Sequence, residues 1–263
     1  MINVIFNIII DKVDTIENLT GDNIYTDASE TDIENTITGK IDSCINKGNV
    51  AGDINAGGIA GAMAIDDEDL EGNAAGSTDI SIHNTYITKC IVNNSKNNGY
   101  VSAKKNGAGG IVGYEKVGIV INTISRGSVE CTEGDYAGGI VGQSLTVIKN
   151  SNALCQVTGG KYVGGIAGFA TGKSDYVGSE YVVFPAITNC INEGNVNVTS
   201  KDGNSLYVGG IVGNQGSSNL YIKDCHNKAR VSSGECSSYN YTAGILGLAL
   251  NSNLIDSCKN SGD

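Results

Sequence analysis

The sequence predicts an all-β protein: a right-handed parallel β-helix (β-solenoid) of about six coils with an N-terminal cap. Three observations predict this fold, namely the glycine content, the scarcity of proline and an internal repeat. Gly accounts for 37 of the 263 residues, Pro occurs once, and 40% of the residues are hydrophobic. Glycine at about twice its average frequency indicates many short strands and tight turns. The single Pro excludes collagen, and the charged fraction of only 17% argues against disorder.

The repeat consists of two linked motifs. A five-residue motif, small–Gly–Ile–small or apolar–Gly, occurs six times, and a second motif, approximately Cys-Ile-Asn-x-Gly-x-Val, precedes it, as in residues 44–50 and 190–196. Units of this kind stack as coils, because no single unit can bury its apolar face alone. The copies of the first motif begin at Gly57, Gly109, Gly138, Gly164, Gly209 and Ala243.

Equivalent positions in stacked coils form columns, so the motifs predict which side chains point inward. The isoleucine column is Ile59, Ile111, Ile140, Ile166, Ile211 and Ile245, and the valine column is Val50, Val101, Val129, Val157, Val196 and Val231. The cysteine column is Cys44, Cys90, Cys190, Cys225 and Cys258, with Thr123 and Ser151 at the same place in the third and fourth units. Buried free thiols are the expected state of these cysteines, with disulfides or a metal site as alternatives. The chain contains no CxxC pair.

A further column contains Asn46, Asn192, Asn227 and Asn260. Asn tolerates the left-handed backbone conformation of turns, and its side chain can form hydrogen bonds along a ladder. We therefore expect these four residues to lie at a turn of each coil.

The repeats divide the chain into a cap, residues 1–40, and a solenoid, residues 41–263, with insertions at 62–85 and 169–186. Residues 2–10 alternate in the pattern of a strand within the cap. Both insertions follow the Gly-Gly-Ile motif at the same register, so they leave the same side of the rod. Loops inserted into a solenoid usually carry its binding residues. The expected contact residues are Asp66, Asp67, Glu68, Asp69, Tyr176, Tyr181 and Phe184.

Two of these features allow more than one interpretation. The acidic run that includes Asp66–Asp69 is either a solvated loop or a calcium site, although it lacks the EF-hand spacing. Tyr136, Tyr162, Tyr207 and Tyr241 precede the glycine motif at a constant distance and form an aromatic stripe. The stripe either stiffens the rod or offers a platform for sugar rings.

Two segments, residues 162–168 (Tyr-Val-Gly-Gly-Ile-Ala-Gly) and 207–213 (Tyr-Val-Gly-Gly-Ile-Val-Gly), resemble the GLUG motif. This repeat occurs in bacterial surface and secreted proteins, including adhesin-like proteins and the non-catalytic region of immunoglobulin A-specific metalloproteases. The resemblance implies an extracellular or cell-surface β-solenoid. It does not imply proteolysis, because the HExxH zinc signature is absent from this sequence.

The function expected from these observations is non-enzymatic. The net charge of −11, without a Lys/Arg cluster, argues against nucleic acid as a partner, and no apolar run is long enough for membrane insertion. No catalytic motif or cofactor fingerprint occurs. We expect a structural or adhesive module that binds a host glycan or a protein receptor. The alternatives are a filament subunit that binds copies of itself through the solenoid ends or the N-terminal strand, and a carbohydrate-active β-helix enzyme.

Overall fold

The structure is a computed structural model that describes residues 25–65, 86–131, 133–199, 205–216, 219–236, 238–250 and 253–262. Its regular secondary structure is β-strand throughout these residues, and strands of successive coils pair in parallel. The prediction of an all-β parallel solenoid is confirmed. The described part of the chain contains no helix with the length and hydropathy needed to span a membrane. The strand predicted for residues 2–10 lies outside the described residues.

Each coil contains five successive strand positions, which we name a to e. The a strands form one sheet, the b strands a second, the c and d strands together a third, and the e strands a fourth. In the first two coils the c and d positions merge into one long strand. Within the described ranges, six complete coils are followed by the a and b strands of a seventh.

The strand bounds follow the coils in sequence order. The a strands are Lys40–Asp42, Ile91–Asn93, Ile119–Ile121, Val147–Lys149, Ile187–Thr188, Tyr221–Lys223 and Leu254–Asp256. The b strands are Ile45–Asn46, Lys96–Asn97, Ile124–Ser125, Asn152–Ala153, Ile191–Asn192, His226–Asn227 and Lys259–Asn260. The merged c–d strands are Val50–Gly57 and Val101–Gly109. The later c strands are Val129–Cys131, Val157–Gly159, Val196–Val198 and Val231–Ser232, and the later d strands are Tyr136–Gly138, Tyr162–Gly164, Leu206–Gly209 and Asn240–Ala243. The e strands are Ala60–Met63, Val112–Glu115, Val141–Ser144, Ala167–Ala170, Val212–Gln215 and Leu246–Leu248.

Two small sheets accompany the coils. Tyr25–Asp27 pairs in parallel with Tyr86–Thr88, which places part of the predicted cap beside the entry to the second coil. Lys173–Val177 and Glu180–Phe184 form an antiparallel hairpin within the second insertion.

The predicted isoleucine and valine columns are confirmed. Backbone hydrogen bonds link each isoleucine of the column to the isoleucine of the next coil, from Ile59 to Ile245. The six valines pair directly across neighbouring c positions. Ile111, Ile140, Ile166 and Ile211 are completely buried, whereas the two terminal members are half-buried because they belong to the first and sixth coils.

The cysteine column differs from the prediction at one position. Asp42 pairs with Asn93, so Ser95, and not Cys90, lies beside Cys44. The backbone N–H of Cys44 donates a hydrogen bond of 3.2 Å to the Ser95 hydroxyl. Cys90 instead precedes the a strand of the second coil, so its assignment to the column was wrong.

The left-handed turn of each coil lies three residues before the position that the sequence suggested. Asn46, Asn192, Asn227 and Asn260 lie in b strands, and their side chains form the expected ladder, for example Asn192 Nδ2 to Asn227 Oδ1 at 2.8 Å. One residue at every a–b corner has a φ between 49° and 56°. Asn, Asp and Ser tolerate this conformation better than bulkier residues. The corner residues are Ser43, Asn94, Asn122, Asn150, Asn189, Asp224 and Ser257.

Strands d and e pack against each other through their backbones. A Cβ added at Gly142, in an e strand, would lie 2.6 Å from the Gly113 carbonyl oxygen and 2.9 Å from the backbone N of Ala108 in the d strand of the preceding coil. No side chain fits in such a space. The last glycine of the repeated motif is therefore required by this close approach.

Candidate functional site

The two insertions differ in what the structure shows of them. Asp66, Asp67, Glu68 and Asp69 lie outside the described residues, so the calcium site and the contact role of this run stay predictions. Over the described ranges, no group of three or more His, Cys, Asp or Glu side chains is arranged to hold a metal ion.

The second insertion is an exposed hairpin on the side of the solenoid. Its two-residue turn, with Gly178 at a φ of 67° followed by Ser179, has the composition of a type II′ turn, which matches the twist of antiparallel strands. The insertion leaves the fourth e strand and returns at the fifth a strand. The hairpin is thus attached at both ends to stacked coils.

The predicted contact residues of the hairpin divide between its two faces. Tyr176 and Tyr181 pair across the strands, with ring centroids 5.3 Å apart in an edge-to-face arrangement. Tyr176 is 68% exposed and Tyr181 is 51% exposed. Phe184 is exposed as well, but the alternation of side chains along the strand places it on the opposite face.

Asn219 connects the hairpin to the solenoid and was not found from the sequence. Its Nδ2 donates a hydrogen bond of 2.9 Å to the Ser174 hydroxyl and another to the Tyr181 hydroxyl. Ser174 and Tyr181 are in turn hydrogen-bonded to each other at 2.7 Å. These bonds fix the orientation of the face that carries Tyr176 and Tyr181. A glycine turn between two alternating runs was the available sequence signal for the hairpin itself.

The four tyrosines of the stripe stack on consecutive coils. Their ring centroids are 5.0–5.3 Å apart, with interplanar angles of 12–25°. Both faces of Tyr162 and Tyr207 are covered by neighbouring rings, whereas a sugar ring needs an open face to stack on. Phe169 packs edge-on against Tyr136, and the Lys161 amine lies 4.7 Å from the centre of the Tyr162 ring. The geometry favours the stiffening role of the stripe over a sugar platform.

The buried cysteines carry little nucleophilic character. All eight are free thiols among the described residues, and Cys131, Cys155, Cys190 and Cys225 are buried. Cys44 is exposed, so the expectation of a buried thiol was wrong at this position, which belongs to the first coil. Burial raises the pKa of the Cys131 and Cys155 thiols to about 11. A protonated thiol is a poor nucleophile and a poor metal ligand, so these side chains act as core residues.

One ionisable residue that the sequence analysis did not single out lies deep in the core. The side chain of Glu115, in the second e strand, is completely buried. The Ser144 hydroxyl donates a hydrogen bond of 2.7 Å to Oε2, and Oε1 has no hydrogen-bond partner among the described residues. Burial raises the pKa of Glu115 from 4.5 to about 8, so the carboxyl is mostly protonated at neutral pH. Since no solvent reaches it, Glu115 is not part of a surface site.

Comparison of the chain with protein-family models, with curated proteins and with solved structures finds no match.

Proposed function

We propose that this chain is a non-enzymatic, adhesive module of a bacterial secreted or cell-surface protein, in which a stiff solenoid presents the hairpin of residues 173–184 to a host glycan or protein receptor. The observation that carries the proposal is the pair Tyr176 and Tyr181, exposed together on a face that Asn219 holds to the solenoid. The resemblance of the repeats to the GLUG motif supports the extracellular setting.

The physical argument rests on exposed aromatic area on a rigid support. Large aromatic side chains that protrude together mark interaction surfaces, because a soluble monomer gains nothing from exposing them. The pairing of each coil with its neighbours limits movement at the base of the hairpin. A ligand therefore meets contact residues whose ordering has already been accomplished by folding, which favours affinity.

The proposal is tested by binding to a mammalian glycan array and to immobilised extracellular-matrix proteins. Tyr176→Ala is expected to lower the affinity for the best ligand by about tenfold, as truncation of an aromatic anchor usually does. Tyr239→Ala is the matched control, because Tyr239 is 66% exposed but lies outside the hairpin. Equal losses of affinity in the two variants would contradict the proposal. So would the absence of binding both to the glycan array and to the immobilised proteins.

A second candidate, self-association through the solenoid ends, is favoured by apolar side chains exposed at both. Ile45 and Ile54 in the first coil are 56% and 53% exposed, and Leu254 and Ile255 in the seventh are 45% and 42% exposed. Exposed apolar residues beside strand edges are a known route to end-to-end pairing. Sedimentation velocity tests this function: concentration-dependent oligomers that Leu254→Asp abolishes would support it, and a strict monomer would exclude it.

A further inference from the structure

The charge of the chain is distributed unevenly. The whole protein has a net charge of −11, whereas residues 219–263 contain four Lys and Arg and four Asp and Glu. Lys228 and Arg230 follow the b strand of the sixth coil, and Lys259 lies in the b strand of the seventh. Because screening limits the reach of distant charges to about 8 Å at physiological ionic strength, a ligand at this corner responds mainly to the local charges, which are these cations and Glu193.

An open groove with a volume of about 620 Å³ lies at the same corner. Its lining residues are polar except for Ala229 and come from the fifth, sixth and seventh coils. Lys228 Nζ and Glu193 Oε1 form an ion pair of 3.0 Å within it. The guanidinium of Arg230 has no ion-pair partner among the described residues. The lining residues are Glu193, Asn195, Lys228, Ala229, Arg230 and Ser261.

His226 lies beside the groove and near the cations of Lys228 and Lys259. Its Nε2 is hydrogen-bonded to the Ser261 hydroxyl at 2.8 Å. Desolvation lowers the pKa of His226, and the charges of Lys259 and Lys228 lower it further, against the opposing effect of Glu193. Neighbouring cations that disfavour a further positive charge also favour an anion in the same place.

The equivalent corner of other coils lacks this arrangement. The backbone N–H groups of Arg126, Leu154 and Lys228 all bond to the preceding b strand, so these residues occupy one position in the third, fourth and sixth coils. Two residues further on, the fourth coil has Gln156 where the sixth has Arg230. The pair of cations is thus a property of the sixth coil and not of the repeat.

We propose that this groove binds the carboxylate or sulfate group of an acidic saccharide. Arg230 presents its planar fork of donors to the anionic group, and Lys228, already held in place by Glu193, contributes a second positive charge. Asn195, Ser261 and the Glu193 carboxylate bond to the sugar hydroxyls, which both donate and accept hydrogen bonds. This inference goes beyond the proposed function, since it uses no residue of the hairpin.

Isothermal titration calorimetry with three probes tests the inference. A heparin-derived hexasaccharide carries sulfate and carboxylate, a hyaluronan hexasaccharide carries carboxylate alone, and chitohexaose is neutral. We expect at least one acidic probe to bind, with an affinity that falls as salt is added, and chitohexaose not to bind. Arg230→Gln is expected to weaken binding by about tenfold, since a bidentate charge-assisted contact is lost.

The matched control is Arg126→Gln, which removes an exposed cation at the position equivalent to Lys228 in the third coil. Unchanged affinity in this variant, together with the loss in Arg230→Gln, supports the groove. Equal losses in both variants, binding of chitohexaose as strong as that of the acidic probes, or failure of both acidic probes to bind would overturn the inference. Tyr176→Ala separates the two proposals, because it is expected to leave acidic-saccharide binding unchanged even though it impairs the adhesive hairpin.

Discussion

The two halves of each coil are held together by different interactions. Strands a to c enclose the cysteine and valine columns and depend on side-chain burial. Strands d and e meet so closely that backbone touches backbone at Gly142 and its equivalents. In the first half, volume can be redistributed among neighbouring side chains. In the second half buried side chains such as Val141 and Val163 are present as well, but the closest contacts are between backbones, so tolerance to substitution is expected to be lowest at the glycines that make them.

The largest effect is expected at the backbone contact. Gly142→Ala would place a methyl group within 3.0 Å of backbone atoms from Gly113, Gly107 and Ala108. Because a backbone cannot rotate away as a side chain does, we expect a loss of about 4 kcal/mol or more in the free energy of unfolding. Chemical denaturation of the two proteins measures it.

Gly48→Ala is the control for that change. The nearest atom to its added Cβ is 3.8 Å away, and the φ of Gly48 is not positive. Its unfolding free energy should stay within about 0.5 kcal/mol of the wild-type value. Similar losses in the two variants would refute the close contact between strands d and e.

The next largest effect is expected in the isoleucine column, which connects the two halves. Ile166→Ala removes a completely buried side chain and should cost about 3–4 kcal/mol, the usual cost of the lost transfer energy and the cavity. Ile245→Ala, at a half-buried position in the sixth coil, should cost about half as much. Denaturation curves of both variants measure the two losses of unfolding free energy. Equal losses would show that the side chain in the sixth coil is buried to the same extent as the one in the fourth.

A pH-dependent effect is expected at Glu115. Its pKa is raised from 4.5 to about 8 in the folded protein, so the folded state holds a proton that the unfolded state releases. The contribution of this carboxyl to stability is therefore greatest below about pH 4.5 and declines as the pH rises to about 8, above which it is constant. The negative charge of Asp27 also raises the pKa of Glu115 and is present in both proteins, whereas the Cys90 thiol, with a pKa of about 11, is uncharged across this range.

Glu115→Gln isolates this contribution. Near pH 8 we expect the variant to be more stable than the wild type by about 2–3 kcal/mol, less than full linkage predicts because the amide NH₂ also needs a partner. Near pH 4 the difference should shrink or reverse. Thermal unfolding of both proteins across this range measures it, and a constant difference would mean that Glu115 is ionised in the fold.

The smallest effect is expected at the aromatic stripe. Tyr162→Ala removes two stacking contacts on the outer surface and should cost about 1–2 kcal/mol. Tyr176→Ala, on the exposed hairpin, should leave the unfolding free energy nearly unchanged. If both variants unfold like the wild type, the stripe has no stiffening role, and the regular position of its tyrosines in successive coils has another cause.

The repeat made the fold and the columns predictable, because each column position recurs in every coil and an atypical residue in one coil does not hide the pattern. Cys90 was misplaced since residue type alone was used there. The six-residue spacing from Cys44 to Val50, applied backwards from Val101, leads to Ser95. The left-handed corner escaped notice because Ser, Asn and Asp all satisfy it, so no single letter recurs. Glu115, Asn219 and the groove beside Arg230 occur once each, and a feature that is not repeated leaves no periodic signal.

Native-state hydrogen exchange tests the central claim most directly, namely that backbone contact holds strands d and e as firmly as side-chain burial holds strands a to c. Val141 in an e strand and Val129 in a c strand belong to the same coil, and each donates its N–H to a carbonyl of the next coil, at 3.0 Å and 2.9 Å. We predict that both amides exchange only through global unfolding, with equal protection. Exchange of Val141 that is faster than that of Val129 by orders of magnitude would show that the glycine-packed half opens on its own, and would contradict the claim.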